Sequence, residues 1–167
     1  MTGQAAVASA DLAGVPEVGQ QAPDFTLLNQ FGEPVRLADF RGRNVVVVFY
    51  PFAFSGICTG ELCEIRDNLA VFEHAGAEVL AVSVDSKFAL RAYGEQEGYE
   101  FSLLADFWPH GAVAEKYGVF DEESGMARRG TFIIDAGGTV RYVIVNPRGQ
   151  ARDLAEYRRV LAELAEG

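Results

Sequence analysis

The run from Asn44 to Tyr50 limits the possible folds more than any other segment, because β-branched and aromatic residues follow one another there without polar alternation. This pattern predicts a strand that is covered on both faces, and such a strand lies in the middle of a sheet. The run is also far shorter than the roughly 20 apolar residues that a membrane-spanning helix needs. We therefore expect no helix that spans a membrane.

Strands and helices alternate after this run. Apolar residues recur at intervals of three or four from about Ile57 to His74, which predicts one helix with a single buried face. A small hairpin at 25–40 precedes the central strand. The other predicted elements are a strand at 78–84, a helix at 87–96 that ends at Gly98, a strand at 101–104, a helix at 111–117, two strands within 131–145, and a terminal helix that Asp153 caps. This order predicts an α/β fold with a central mixed sheet, mainly parallel in its first half and flanked by helices.

Length and composition favour a single domain. The chain has 167 residues, 49% of them apolar, which is enough for one hydrophobic core. Its first sixteen residues are rich in alanine, contain neither Lys nor Arg, and lack the continuous apolar stretch of a secretory signal. We therefore predict a disordered tail at 1–16, one domain at 17–167, and a cytoplasmic protein.

The charge and the cysteine content exclude several kinds of partner. The 24 Asp and Glu residues exceed the 14 Lys and Arg residues, and the resulting net charge of −10 is opposite to what nucleic acid attracts. Two cysteines, Cys58 and Cys63, are too few for a disulfide-rich secreted framework. The histidines, His74 and His110, lie far apart in the sequence with no second cysteine pair nearby. We therefore expect no metal site.

The segment from Pro51 to Cys58 connects the predicted central strand to the predicted first helix. Ligand sites of open α/β sheets lie at this edge. Unpaired N–H groups in the first turn of a helix stabilise a thiolate, so Cys58 is placed to be a nucleophile with a lowered pKa. Ser55 offers a hydroxyl that can donate to a thiolate or to a bound oxygen and can accept from a helix N–H. Pro51 can shape the loop and shield the thiolate from water. Position alone is equally compatible with a buried, inert Cys58, since free cysteine is among the most buried residue types.

Three motifs resemble one family. The spacing Pro51-x-x-x-Ser55-x-x-Cys58 resembles the peroxiredoxin motif, Pro-x-x-x-Thr/Ser-x-x-Cys. The stretches Asp106 to Gly111 and Arg129 to Phe132 are similar to the alkyl hydroperoxide reductase E group of that family. The resemblance covers nearly all of the chain outside the tail, and it implies a thioredoxin-like fold.

This resemblance implies a thiol peroxidase that reduces hydrogen peroxide, alkyl hydroperoxides or peroxynitrite without a metal, haem or flavin cofactor. Cys58 would attack the O–O bond and become a sulfenic acid, and Arg129 would be the family's active-site arginine. Negative charge grows on the leaving oxygen, so fixed donors such as Arg129, Ser55 and the Cys58 N–H suit this chemistry. Side chains alternate along a strand, so the neighbouring Arg128 is expected on the opposite face. Glu61 either resembles a glutamate that holds the arginine or complements the helix dipole.

Cys63 leaves two routes of reduction open. Its spacing, C-x₄-C, resembles the bacterioferritin comigratory protein group, in which the resolving cysteine occupies this position. Five helical residues rise about 7.5 Å, and disulfide Cα atoms lie at most about 7 Å apart, so a Cys58–Cys63 bridge requires the first turns to unwind. Gly56 and Gly60 favour such opening, after which a thioredoxin-like donor would reduce the disulfide. If Cys63 is inert, an external thiol such as mycothiol, with a mycoredoxin-type partner, would reduce Cys58.

Two other functions are compatible with the residues. One is a non-catalytic sensor, in which oxidation of Cys58 unfolds the first helix and changes a partner interface. The other, a thioredoxin-type disulfide oxidoreductase, is disfavoured because that chemistry needs C-x-x-C spacing, which the chain lacks. The resemblance also implies a homodimer or higher oligomer built around loops near the active site. Trp108 and His110 are expected to be a structural tryptophan and a surface histidine, or else to line the pocket mouth or a subunit contact.

Overall fold

The computed structural model describes residues 6–7, 12–147 and 152–166. Its strands are Ala6–Val7 (β1), Thr26–Asn29 (β2), Pro34–Arg36 (β3), Asn44–Phe49 (β4), Ala77–Ser83 (β5), Ser102–Ala105 (β6), Phe120–Asp121 (β7), Met126–Ala127 (β8), Arg129–Ile134 (β9) and Val140–Asn146 (β10). Its helices are Gly56–Asp67 (α1), Leu69–His74 (α2), Lys87–Glu97 (α3), Ala112–Lys116 (α4) and Leu154–Glu166 (α5). A 3₁₀ turn covers Leu37–Phe40. None of the described helices is long and apolar enough to cross a bilayer.

One mixed sheet of eight strands forms the centre of the described fold, in the order β1-β10-β9-β4-β5-β6-β2-β3. β4, β5 and β6 are parallel, whereas β9 is antiparallel to both β4 and β10. β7 and β8 form a separate two-stranded hairpin. The predicted α/β fold, with a central mixed sheet flanked by helices, is confirmed.

Both faces of β4 are covered, as its run of valines predicts. Val46 and Val48 belong to a core cluster with residues of α1, α2, α3 and α5. Val45 and Val47 belong to a second cluster on the opposite face, with residues of α4. Each of these valines is at most 1% exposed, and burial of such a side chain contributes roughly 1.5–3 kcal/mol. Packing on both sides therefore holds β4 and its carboxyl end in place.

Two predicted elements are divided differently in the structure. The helix predicted from Ile57 to His74 is broken at Asn68, between α1 and α2. The Asn68 side chain donates a hydrogen bond to the carbonyl of Glu64 at 2.8 Å, and a side chain that competes for helix carbonyls in this way interrupts the helix. The predicted hairpin is present as β2 and β3, but its last residues form the 3₁₀ turn at Leu37–Phe40.

The N-terminal segment differs from the predicted tail at 1–16. Residues 1–5 and 8–11 lie outside the described residues. Ala6–Val7 pairs in parallel with β10, and Leu12 and Val15 pack against the core on the α4 side. Leu12 and Val15 therefore cover part of the core, although they lie in the segment that the sequence predicts to be a disordered tail.

The close approach of this segment to Gly118 leads to a prediction about stability. Gly118 has φ = +69°, and a Cβ there would lie 2.6 Å from backbone atoms of Gly14 and Val15. Gly118→Ala is therefore expected to lower the free energy of unfolding by roughly 3 kcal/mol, from left-handed strain and steric overlap together. Gly76→Ala is the control, because Gly76 has φ = +65° with open space around it, so that only strain of about 1–2 kcal/mol remains. Urea unfolding measures both variants, and equal losses would contradict the overlap at Gly118.

Candidate active site

The carboxyl edge of the parallel strands brings several loops together. Phe49 of β4 pairs in register with Val82 of β5, and β6 runs in the same direction beside β5. The loops after these three strands therefore leave from one edge of the sheet. The loop after β4 leads directly into α1, whose third residue is Cys58. The predicted position of Cys58 in the first turn of a helix is thus observed, at the edge where ligand sites of such sheets lie.

Hydrogen bonds fix the loop between β4 and α1. The Asp85 carboxylate, just after β5, accepts from the Ala53 N–H at 2.8 Å. The Ser55 hydroxyl donates to the carbonyl of Phe52 at 2.9 Å. The expectation that Ser55 accepts from a helix N–H is therefore wrong, since its side chain makes no cap hydrogen bond. Pro51 is half-buried at the start of the loop.

Arg129 and Glu61 form a buried ion pair beside α1. Arg129 is the first residue of β9, and its Nη1 donates to Oε1 of Glu61 at 2.6 Å. Arg129 is 7% exposed and Glu61 is 8% exposed. Glu61 follows Cys58 by three residues and so lies about one helical turn further along α1. The guanidinium therefore lies beside the helical turn of Cys58, and the contact that the resemblance implies between Glu61 and Arg129 is present.

Arg152 joins the same group and is absent from the sequence-based prediction. Its backbone N–H donates to Oε2 of Glu61 at 2.6 Å, and its Nε lies 3.6 Å from the same oxygen. Its guanidinium also donates to the carbonyl of Phe49, at the end of β4. No local pattern in the sequence distinguishes Arg152 from a surface arginine, because its burial depends on a carboxylate 91 residues earlier.

The buried group has a net positive charge, because two guanidinium groups face one carboxylate. A guanidinium group carries a positive charge at any physiological pH. In a buried environment an incompletely neutralised cation attracts a nearby anion more strongly than it would in water. The group formed by Arg129, Glu61 and Arg152 therefore favours negative charge beside it, in a protein whose net charge is −10.

Removal of the Glu61 charge is expected to destabilise the domain strongly. Glu61→Gln keeps the side-chain size but leaves two buried guanidinium groups without their counter-ion, at a cost of about 3–5 kcal/mol. Glu64→Gln is the matched control, since Glu64 lies one turn further along α1 and is exposed. It should change the free energy of unfolding by less than about 0.5 kcal/mol. Chemical denaturation measures both, and equal stabilities would show that the ion group does not stabilise the fold.

The neighbours of these residues have other partners. The guanidinium of Arg128 donates to the carbonyl of Gly118, which agrees with the predicted alternation along the strand. His110 is a surface histidine, as expected, with Nε2 2.8 Å from the carbonyl of Gly125. Trp108 is 80% exposed, so the expectation of a packed structural tryptophan is wrong: it lies in the loop after β6, outside the core. In the part of the chain that the structure describes, no group of three or more His, Cys, Asp or Glu side chains could hold a metal ion.

Cys63 is half-buried in the helix that contains Cys58. Its thiol donates to Oε1 of Glu97 at 3.4 Å and lies 3.4 Å from the Tyr99 hydroxyl. The two cysteines are five residues apart within one continuous helix, which corresponds to a rise of about 7.5 Å. The closed helix therefore holds them too far apart for a disulfide.

The chain is similar to one family along most of its length. The model of the AhpC/TSA family matches residues 18–143. Alkyl hydroperoxide reductase E of Mycobacterium tuberculosis is 46% identical over 148 residues, which cover 88% of this chain and 97% of that protein. Peroxiredoxin Bcp of Escherichia coli is 39% identical over 133 residues, which cover 76% of this chain and 84% of that protein.

The fold is also similar to that of solved structures. The crystal structure of AhpC from Enterococcus faecalis superposes with a TM-score of 0.80 at 32% identity, covering 89% of this chain and 92% of that one. The predicted thioredoxin-like fold is confirmed by this superposition.

Proposed function

Because the chain belongs to the AhpC/TSA family and is therefore a peroxiredoxin, a thiol peroxidase, we propose that Cys58 is the thiol that reduces the peroxide. The Cys58 thiolate attacks one oxygen of the substrate and the O–O bond breaks. The other oxygen leaves with the electron pair, and it takes up a proton when the product is water or an alcohol, whereas nitrite leaves as the anion. Cys58 becomes a sulfenic acid. Hydrogen peroxide, alkyl hydroperoxides and peroxynitrite are the proposed substrates, with water, an alcohol or nitrite as the leaving product.

The buried group of Arg129, Glu61 and Arg152 is the observation that supports this assignment. During the attack, negative charge moves from sulfur to the leaving oxygen, and donors that are already in place stabilise it without reorganisation. Glu61 holds Arg129 beside the turn of Cys58 through one Nη1 hydrogen bond. A guanidinium has five N–H donors, so Arg129 can bind the carboxylate and a peroxide oxygen together.

Ser55 and Pro51 have supporting roles in this proposal. The Ser55 hydroxyl lies at the entrance to α1, and rotation about its C–O bond turns its proton from the Phe52 carbonyl to a bound oxygen. Pro51 has no N–H, and its half-buried ring limits access of water to the thiolate. The hydrogen bond from the Ala53 N–H to the Asp85 carboxylate keeps the loop between β4 and α1 in place.

Recycling of Cys58 is proposed to use Cys63. After α1 opens, the Cys63 thiol attacks the sulfenic sulfur, a disulfide forms, and water is released. A thioredoxin-like protein then reduces the disulfide. The competing route, in which an external thiol such as mycothiol and a mycoredoxin-type protein reduce Cys58 directly, becomes the conclusion if Cys63 proves inert.

Intact-mass spectrometry after one equivalent of hydrogen peroxide tests this proposal. The wild type is expected to lose two hydrogens, and Cys63→Ser is expected to gain one oxygen instead. If the wild type also gains one oxygen, the external-thiol route replaces the Cys63 route. If neither protein reacts within seconds, Cys58 is not a peroxidatic thiol. Turnover with a reductant separates a peroxidase from a sensor, since a sensor is oxidised without consuming further peroxide.

Most of the exposed large apolar side chains among the described residues support a homodimer formed through the carboxyl edge of the sheet. Six of them lie on the loops after β4 and β6 and on the first turns of α1 and α3: Phe52, Phe54, Ile57, Phe88, Phe107 and Trp108. The other three, Val18, Leu28 and Phe31, lie elsewhere. A concentration of apolar surface at one edge is typical of an interface. A second copy brings the same apolar surface and would cover it.

Trp108→Glu tests this dimer, because a charge in the interface should weaken it. We expect the dissociation constant from sedimentation equilibrium to rise at least about tenfold. Val18→Glu is the matched control, since Val18 is also exposed but lies next to Gly19, which bonds to the start of β10 at the opposite edge. A wild type that stays monomeric at all concentrations, or equal effects of both variants, would contradict the proposed interface.

The cytoplasmic location stays a prediction.

A further inference from the structure

The first turn of α1 has weak internal support. Gly56 and Gly60 both lie in open space, and each glycine lowers helix stability by roughly 1 kcal/mol relative to alanine. The Ser55 side chain makes no cap hydrogen bond to the helix. The next turn is firmly held, because Glu61 is bound to two arginines and Leu62 is buried. The part of α1 that opens most easily is therefore 56–60, which includes Cys58.

Two tyrosine hydroxyls bind this weak turn from outside the helix, both at Thr59. The hydroxyl of Tyr93 lies 3.0 Å from Oγ1 of Thr59. The hydroxyl of Tyr99 donates to the carbonyl of Thr59 at 3.3 Å and lies 3.4 Å from the Cys63 thiol. Thr59 directly follows Cys58, so these two bonds hold the residue next to the reactive thiol.

The two tyrosines are themselves fixed by packing. Tyr93 is fully buried in α3, and its ring contacts that of Tyr99 edge-on at 5.2 Å. Tyr99 also stacks on Phe101 at 5.0 Å. Burial, together with hydrogen bonds to Cys63 and Tyr93, raises the pKa of Tyr99 far above its usual value. Its hydroxyl therefore stays protonated and remains a donor at physiological pH.

The loop before α1 packs on Tyr93. The ring of Phe54 contacts that of Tyr93 at 4.9 Å, and Phe54 has φ = +69°, which is unfavourable for a residue with a side chain. Tyr93 therefore supports the chain on both sides of Cys58, at Phe54 before it and at Thr59 after it.

We propose that Tyr93 and Tyr99 are positioning residues that clamp the Cys58 turn through Thr59 and set how often this turn opens towards Cys63. The inference rests on the proposed function, in which disulfide formation needs α1 to open. Cys63 stays in place on the firmly held turn, with its thiol bound to Glu97, so that Cys58 is the cysteine that moves. In the closed turn Cys58 meets peroxide, and in the open turn its sulfenic acid meets Cys63.

This clamp also sets the exposure of the sulfenic acid to a second peroxide. While the turn stays closed, a further hydroperoxide can oxidise the sulfenic acid to a sulfinic acid, with loss of water or an alcohol. Opening leads instead to the disulfide and water. A tighter clamp therefore shifts the product from the disulfide towards the sulfinic acid, and a weaker clamp does the reverse.

Amide hydrogen exchange of the reduced protein tests the clamp without any redox chemistry. In Tyr93→Phe and Tyr99→Phe, each of which loses one hydroxyl, the peptide of residues 56–63 should exchange about fivefold faster than in the wild type. Tyr142→Phe is the matched control, because its buried ring loses a hydroxyl bonded to Glu156, and exchange at 56–63 should not change. Thr59→Val removes the Tyr93 bond from its other end, so combining it with Tyr93→Phe should add little to either single change.

Oxidation with excess hydrogen peroxide then tests the consequence. Tyr93→Phe is expected to form the Cys58–Cys63 disulfide about fivefold faster than the wild type and to yield less sulfinic acid. Unchanged exchange at 56–63 in Tyr93→Phe and Tyr99→Phe overturns the clamp. If exchange at 56–63 is faster in these variants but the wild-type protein forms no disulfide, the clamp is supported and the Cys63 route is overturned instead.

Discussion

Replacing Cys58 with serine is expected to lower the rate of peroxide consumption by at least about 10³-fold, because a serine hydroxyl stays protonated where a thiol ionises. The variant should fold normally, since serine differs from cysteine by one atom in the first turn of α1. Consumption of hydrogen peroxide with excess dithiothreitol measures the effect. A rate within tenfold of the wild type would show that another group performs the reaction.

Cys63→Ser is the matched control for this prediction. It makes the same change in the same helix, five residues further on, and in the proposed mechanism it leaves the first oxidation step intact. The rate constant of that step should therefore stay near the wild-type value. With dithiothreitol as an external thiol, turnover should continue as well. A loss as large as that of Cys58→Ser would contradict the proposal that Cys63 acts only after Cys58 has been oxidised.

Arg129→Gln is expected to lower the second-order rate constant of Cys58 oxidation by about 10²–10³-fold, which is typical for loss of one preorganised donor to a developing anion. The substitution also removes a positive charge next to the turn of Cys58. Stopped-flow measurement with a thiol-specific probe of remaining Cys58 determines the rate constant. Arg128→Gln is the matched control, since it removes the same charge from the adjacent residue, which bonds to Gly118 rather than to Glu61.

The free energy of unfolding of Arg129→Gln and Arg128→Gln must be measured as well as their rates of Cys58 oxidation. Arg129→Gln removes the 2.6 Å ion pair of Glu61, but Arg152 still faces that carboxylate, so the loss in free energy of unfolding should be smaller than that of Glu61→Gln. An oxidation rate that falls equally in Arg128→Gln and Arg129→Gln would indicate a general charge effect. It would contradict the assignment of Arg129 as a donor to the peroxide.

Several elements were predictable because local patterns decide them. The valines of β4 follow one another without polar residues, and only a strand covered on both faces satisfies that pattern. Gly98 ends α3 with φ = +73°, as expected for a glycine that closes a helix. Asp153 accepts from the Ala155 N–H at 3.0 Å, which agrees with the predicted cap of α5. These features depend on residues within a few positions of each other.

Other features depended on partners that no local pattern indicates. The break at Asn68 has a local partner, the carbonyl of Glu64 four residues earlier, but the continuous apolar stripe gives no sign of this hydrogen bond. The exposure of Trp108 depends on the path of the loop after β6, which places this side chain outside the core. The packing of residues 12–16 depends on the space beside Gly118. In each case the deciding atoms are side-chain or backbone contacts rather than the periodicity of the sequence.

The sequence by itself determined the order of the main strands and helices, although not β1, β7, β8 or the division of α1 from α2. It also determined the position of Cys58 at the start of a helix that follows the most buried strand. Hydrophobic periodicity and short motifs suffice for this, because they act over a few residues. Only the tertiary structure decided the charge of the site and the contacts that support the first turn of α1. Arg129 reaches Glu61 across 68 residues, Arg152 across 91, and Tyr93 reaches Thr59 across 34. Such contacts form only when the sheet brings α1, α3, β9 and the start of α5 to one place, and burial there gives them their strength.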